Sequence, residues 1–68
     1  MKQISGKQFI RIATQHGWNL KRIKGSHRIL SQSGRPERLT VPVHGNQPLK
    51  TGLLRHFLKT SGLQEADL

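Results

Sequence analysis

Cysteine is absent from this 68-residue chain, which removes thiolate nucleophiles, Cys-based zinc sites and disulfide staples together. The lack fits a reducing interior, where disulfides are rare, and the expected location is cytoplasmic. Acids are nearly missing as well. There are three in total, and Glu65 and Asp67 stand at the C-terminal end, so residues 1–64 carry Glu37 alone. No apolar run exceeds two residues, as at Phe9-Ile10 or Leu53-Leu54. Neither a transmembrane helix nor a signal peptide is therefore expected. The length leaves room for one core, so a single domain over 1–68 is expected, and a two-domain enzyme or a Rossmann cofactor binder is excluded. A core of this size supports about 3–5 kcal/mol of stability without staples.

What the chain has in excess is positive charge: 12 Lys and Arg, for a formal net charge of +9. One sign of charge on so small a body implies a polyanionic partner: nucleic acid, an anionic membrane or an acidic protein. Hydrophobic content is only 32%, but the apolar residues are periodic rather than scattered, which points to a folded domain.

Ser5-Gly6-Lys7-Gln8 has the form of a capping box, with Ile4 and Phe9 as its hydrophobic staple. Phe9, Ile12, Ala13 and His16 follow at helical spacing and Gly17 marks a stop, predicting a helix over about residues 5–16. Rough alternation from Trp18 to Ile23 predicts a strand, Lys24-Gly25-Ser26 a turn, and His27 to Gln32 a second strand. After the turn at Ser33-Gly34-Arg35-Pro36, Leu39, Val41 and Val43 alternate with Arg38, Thr40 and Pro42. Pro42 makes this third run an edge, or ends it near Val41. Thr51 is expected to cap a last helix carrying Leu54, Phe57 and Leu58 and closed by Gly62.

The order α-β-β-β-α predicts an α+β fold, a three-stranded antiparallel sheet with both helices on one face and the other face solvated. The double-stranded-RNA-binding domain shares this arrangement, although a fold alone does not give a function. Strand parity leaves the face of His27 open: it shares parity with Ile29, Leu30 opposes, and a bulge at the turn would reverse the answer.

Few catalytic chemistries fit. His16, His27, His44 and His56 lack HxxH or HxxxH spacing with acids nearby, so no metal and no cofactor is expected. A serine triad would have to borrow its acid from Glu37 or the C-terminal end. No G-x-x-x-x-G-K phosphate loop occurs. Histidine in a cationic setting suits one reaction, cleavage of RNA by its own 2′-hydroxyl, which needs a base and positive charge on the phosphorane.

Of the four, His27 follows a tight turn and has Arg22, Lys24 and Arg28 close in sequence. Cations beside a histidine favour neutral imidazole, the form that acts as a base. Gly25 lets a phosphate approach the backbone, and Ser26 offers a hydroxyl. The commoner role for such a residue is a surface histidine in a basic hairpin. Trp18 could stack on a base but reads as core, and His44 could supply an acid but reads as an ordinary loop residue. His16 and His56 read as structural or exposed, and Lys50, Arg55 and Lys59 as a solvated side of the last helix.

Gly17-Trp18, Arg22, Gly25-Ser26-His27, Leu39-Thr40-Val41-Pro42-Val43-His44, Leu49-Lys50-Thr51-Gly52 and Leu54 together resemble the HicA toxin family of small messenger-RNA interferases. The resemblance runs from the first helix to Gly62. It implies the double-stranded-RNA-binding-domain-like fold, one catalytic histidine at His27, metal-independent cleavage of RNA, and neutralisation by a cognate HicB antitoxin. Members of the family often carry a second histidine directly after the first; here Arg28 stands there, so His27 has to work with lysine, arginine or solvent.

The expectation is thus a toxin ribonuclease with His27 as general base and Arg22, Lys24, Gly25, Ser26 and Arg28 as its RNA-binding surroundings. The alternative is a non-catalytic RNA- or DNA-binding module, and a further one is an adaptor for an acidic protein. A +9 nuclease needs an inhibitor, most simply an acidic protein that covers the His27 hairpin.

Overall fold

The computed structural model describes residues 1–68, in the order α1 (Gly6–Gln15), β1 (Asn19–Lys24), β2 (His27–Ser31), β3 (Arg38–Pro42), α2 (Thr51–Ser61) and a short 3-10 turn at Glu65–Asp67. The three strands form one antiparallel sheet in the order β1-β2-β3, so the α-β-β-β-α arrangement is as the sequence predicts.

Ser5 opens α1 as a complete capping box. The Gln8 amide donates to the Ser5 hydroxyl at 3.2 Å, and the Ser5 amide donates to the Gln8 side-chain oxygen at 2.9 Å. Two of the helix's orphan donors are thereby satisfied, and Ile4 and Phe9 are both buried beside them. Phe9 and Ala13 form the inward stripe, while Lys7 and Arg11 face water. The Phe9 ring stacks on Phe57 of α2 with centroids 5.2 Å apart, which joins the two helices. Leu30, Leu39 and Val41 present the sheet's inner face to them, and Trp18, Leu49 and Leu63 close the cluster.

α2 begins differently from the expectation. Thr51 is its first helical residue, and Lys50 occupies the cap position with no side-chain hydrogen bond. The cause is tertiary. The Leu49 amide donates to the Ile4 carbonyl at 2.8 Å, and Ser5 and Pro48 form a bridge, so the chain is tied to the entry of α1 just before it turns. The Lys50 carbonyl is then the first free to accept, and does so from Leu54 at 2.9 Å. The helix ends at Gly62 as expected.

Strand limits also move by a residue: β1 starts after Trp18 and includes Lys24, and β2 stops before Gln32. Pro42 is the last residue of β3, an edge strand, where a missing amide is tolerated. No helix is long and apolar enough to cross a membrane.

Candidate functional site

Lys24 and His27 are directly paired across a two-residue turn, Gly25-Ser26. Gly25 has φ +59° and no non-glycine residue has a positive φ, the pattern of a II′ hairpin, which places glycine first because its twist matches the strands. No atom stands within 4 Å of where a Gly25 Cβ would be, so the outside of the turn is open. Its other side is fixed. The Val43 amide donates to the Ser26 carbonyl at 2.8 Å. By the alternation of antiparallel ladders, the neighbouring pair His27–Pro42 is then one in which no ladder bond is due. Proline therefore stands beside the histidine without leaving a partner unsatisfied.

Register decides the face. Leu30 pairs with Leu39, and both are buried against the helices. One residue either side, Ile29 and Ser31 point to the opposite face, and His27 shares it, because the turn carries no extra residue. His27 is exposed on the side of the sheet that no helix covers.

The irregularity lies in β1 instead. Leu20 pairs with Leu30 but Arg22 pairs with Ile29, so Lys21 is an extra residue, a β-bulge. Strict alternation from Leu20 would turn Arg22 and Lys24 toward the helices and Ile23 outward. With the bulge, Arg22 and Lys24 join His27 on the open face, and Ile23, paired with Arg28, goes to the other. Lys21 also reaches the open face, where it lines a shallow cleft with Asn19, Ser31 and Arg38. The one contact within 4 Å between a basic side chain and a carboxylate is His16–Asp67 at 3.6 Å, so none of these cations is neutralised by a carboxylate.

The structure thus brings together His27, Lys24, Arg22, Gly25 and Ser26. It does not bring Arg28 with them. Arg28 points to the helix side, half-buried, and its guanidinium donates to the Gly25 carbonyl at 3.1 Å, bracing the turn from behind. There it lines a groove with Lys7, Ile10, Arg11, Leu20 and Val43. Lys21 and Arg38 are the cations that the sequence reading missed. The three-residue gap from Leu20 to Ile23 is the signal that a bulge, and hence Lys21, belongs to this face.

The remaining candidates fall as their commoner roles suggest. Trp18 is 1% exposed, with the Arg35 guanidinium 5.8 Å from its ring centre, so it is core and cannot stack on a base. His16 lies 2.9 Å from the Ile12 carbonyl through Nδ1, and His56 is exposed beside Phe57. His44 is exposed in the loop after β3, lining a hollow with Pro42, Lys50 and Leu53. His, Asp and Glu side chains nowhere form a group of three able to hold a metal ion.

A search among curated proteins gave no match. Residues 6–63 match the family described as the HicA toxin of bacterial toxin-antitoxin systems, a span from the first residue of α1 through the buried Leu63 that takes in the whole His27 hairpin. The chain belongs to the HicA toxin family.

Proposed function

We propose that the protein is the ribonuclease toxin of its toxin–antitoxin pair and that His27 is its general base. The observation that carries this reading is the position of His27: exposed on the helix-free face, directly opposite Lys24, with Arg22 at the diagonal position. Directly opposed side chains have Cβ atoms about 4.5–5.5 Å apart and diagonal ones about 7–8 Å, within reach of one phosphodiester.

In the proposed reaction His27 takes the proton of a ribose 2′-hydroxyl. The oxygen attacks the adjacent phosphorus, and the bond to the 5′-oxygen breaks. The products are a 2′,3′-cyclic phosphate and a 5′-hydroxyl, whose proton comes from solvent or a second acid. Lys24 and Arg22 stabilise the dianionic phosphorane, where charge is greatest. Gly25 keeps the turn low so that the phosphate can approach, and Ser26 offers a hydroxyl to it. Arg28 holds the turn and makes no contact with RNA. The nucleophile belongs to the substrate, so the chemistry needs neither a metal nor a cofactor. The partner that follows from the family is an antitoxin of HicB type, and its simplest mode of action is to cover this hairpin.

The test is incubation of RNA in EDTA with wild type and His27→Ala. A general base contributes about 10²–10⁴-fold, so the variant loses at least a hundredfold in rate and still binds RNA. Equal cleavage by the two proteins overturns the assignment.

A further inference from the structure

The bulge at Lys21 does more than orient Arg22. Three of the six residues of β1 are cations, and all three, Lys21, Arg22 and Lys24, end on the open face with His27. On the third strand Arg38 pairs with Ser31, opposite Asn19, at the far end of the same face. Charge therefore runs the length of the sheet, from Lys24 at the turn through Arg22 to Lys21 and Arg38. The far end is a cleft lined by no hydrophobic residue, where Asn19, Ser31 and Gln32 lie among Lys21, Arg38 and Arg35, the last of these held by its bonds to Gln32 and the Thr60 carbonyl.

We infer that this far cleft is a second phosphate-binding subsite, and that a single RNA strand lies along the open face from His27 to Lys21 and Arg38. The path from His27 to Ser31 covers four residue steps, about 13 Å at roughly 3.3 Å per residue. At roughly 3.4 Å per phosphate of a stacked strand, that is about four phosphate steps, which takes a strand of about six nucleotides. Phe9, Trp18 and Phe57 are all buried, so the imidazole of His27 is the one ring on this face and the far cleft has none. Grip comes from phosphates, and the strand is held by spacing of charge rather than by its base sequence. The subsite sets the shortest RNA that binds fully and the position of the cut relative to the bound stretch. The inference takes its ligand from the ribonuclease reading but does not depend on His27 being catalytic.

The experiment measures binding in the His27→Ala chain, which leaves the RNA intact, using fluorescein-labelled oligouridylates of two, four and eight nucleotides at several salt concentrations. Lys21→Gln with Arg38→Gln removes two phosphate contacts, so the slope of log K against log salt falls by about 1.4, from roughly 0.7 per contact on single strands. Affinity for the octamer drops at least fivefold, while that for the dimer and the tetramer, too short to span both sites, changes less than twofold. The control pair, Arg55→Gln with Lys59→Gln on the exposed side of α2, removes the same charge from the helix side. If both pairs weaken the octamer equally, the basic field is diffuse and the subsite does not exist. If neither weakens it, RNA lies elsewhere and the open face serves another polyanion, such as an acidic protein. A normal loss of slope in a chain whose wild type cleaves nothing keeps the subsite and removes the ribonuclease reading.

Discussion

Gly6, the first residue of α1, packs so tightly on the carbonyl of Pro42 that a methyl group there would collide with it. Pro42 is the residue paired with His27 on β3, so the start of the first helix is keyed to the strand that flanks the candidate base. Gly6→Ala forces the two apart. Overpacking of this kind costs about 1–3 kcal/mol, a large share of what so small a core supplies. The melting temperature is expected to fall by at least about 4 °C, and cleavage at a temperature where the variant is folded to fall with it. Unchanged melting would show that β3 yields freely at Pro42.

Arg22 and Arg28 are separated by the sheet, and their variants should differ in kind. Arg22→Ala removes one phosphate contact, so the salt slope of RNA binding falls by about 0.7 while the melting temperature stays the same. Arg28→Ala leaves the slope unchanged. It loses the bond to the Gly25 carbonyl, a net contribution of about 0.5–1.5 kcal/mol, and with it the fixed position of the turn. Anisotropy titrations at several salt concentrations, beside thermal melts, separate the two.

A stability prediction concerns Arg35. Its guanidinium stands over Trp18, donates to the Thr60 carbonyl at 3.2 Å and bonds the Gln32 side chain, which in turn reaches the His16 carbonyl at 2.9 Å. One side chain ties the β2–β3 loop to the ends of both helices. Arg35→Ala is expected to cost about 1–2 kcal/mol, and Arg35→Lys to recover only part of this because the fork geometry is lost. Trp18→Ala, at about 3–5 kcal/mol, should leave the chain unfolded. Urea titration monitored by far-UV circular dichroism decides each case.

Much of this arrangement is legible in the sequence, and the exceptions have physical causes. The capping box at Ser5 and Gln8 could be read because both partners are three residues apart and need nothing else. The same reasoning failed at Thr51. There the start of α2 is set by a bond from Leu49 to Ile4, forty-five residues away in the chain and invisible to local rules. Parity alone leaves the face of His27 open because a bulge at the turn would reverse it, whereas the bulge lies at Lys21. Arg28 stands next to His27 in the chain yet faces the helices, because adjacent strand residues face opposite ways.

Inhibition by an acidic antitoxin should show the marks of the unpaired charge around His27. Stopped-flow association is expected at about 10⁷–10⁹ M⁻¹s⁻¹ in low salt, dropping steeply as salt rises. Chemical labelling of His27 should cease in the complex. A tight, inactive complex in which His27 reacts as fast as in the free protein would rule out a steric block.

β1 remains an uncovered edge along its whole length, and two of its side chains, Leu20 at 49% and Ile23 at 57%, are large apolar surfaces left in water. Such an edge invites a second copy to pair with it. Repulsion among Lys21, Arg22 and Lys24 on each copy stands against this, and these are the cations assigned to RNA. Solubility and ligand binding therefore draw on the same three charges. Short polyphosphate or high salt, by masking them, should turn a monodisperse solution into one that self-associates through β1, and replacing Ile23 by lysine should restore the monomer while leaving the face that carries His27 untouched.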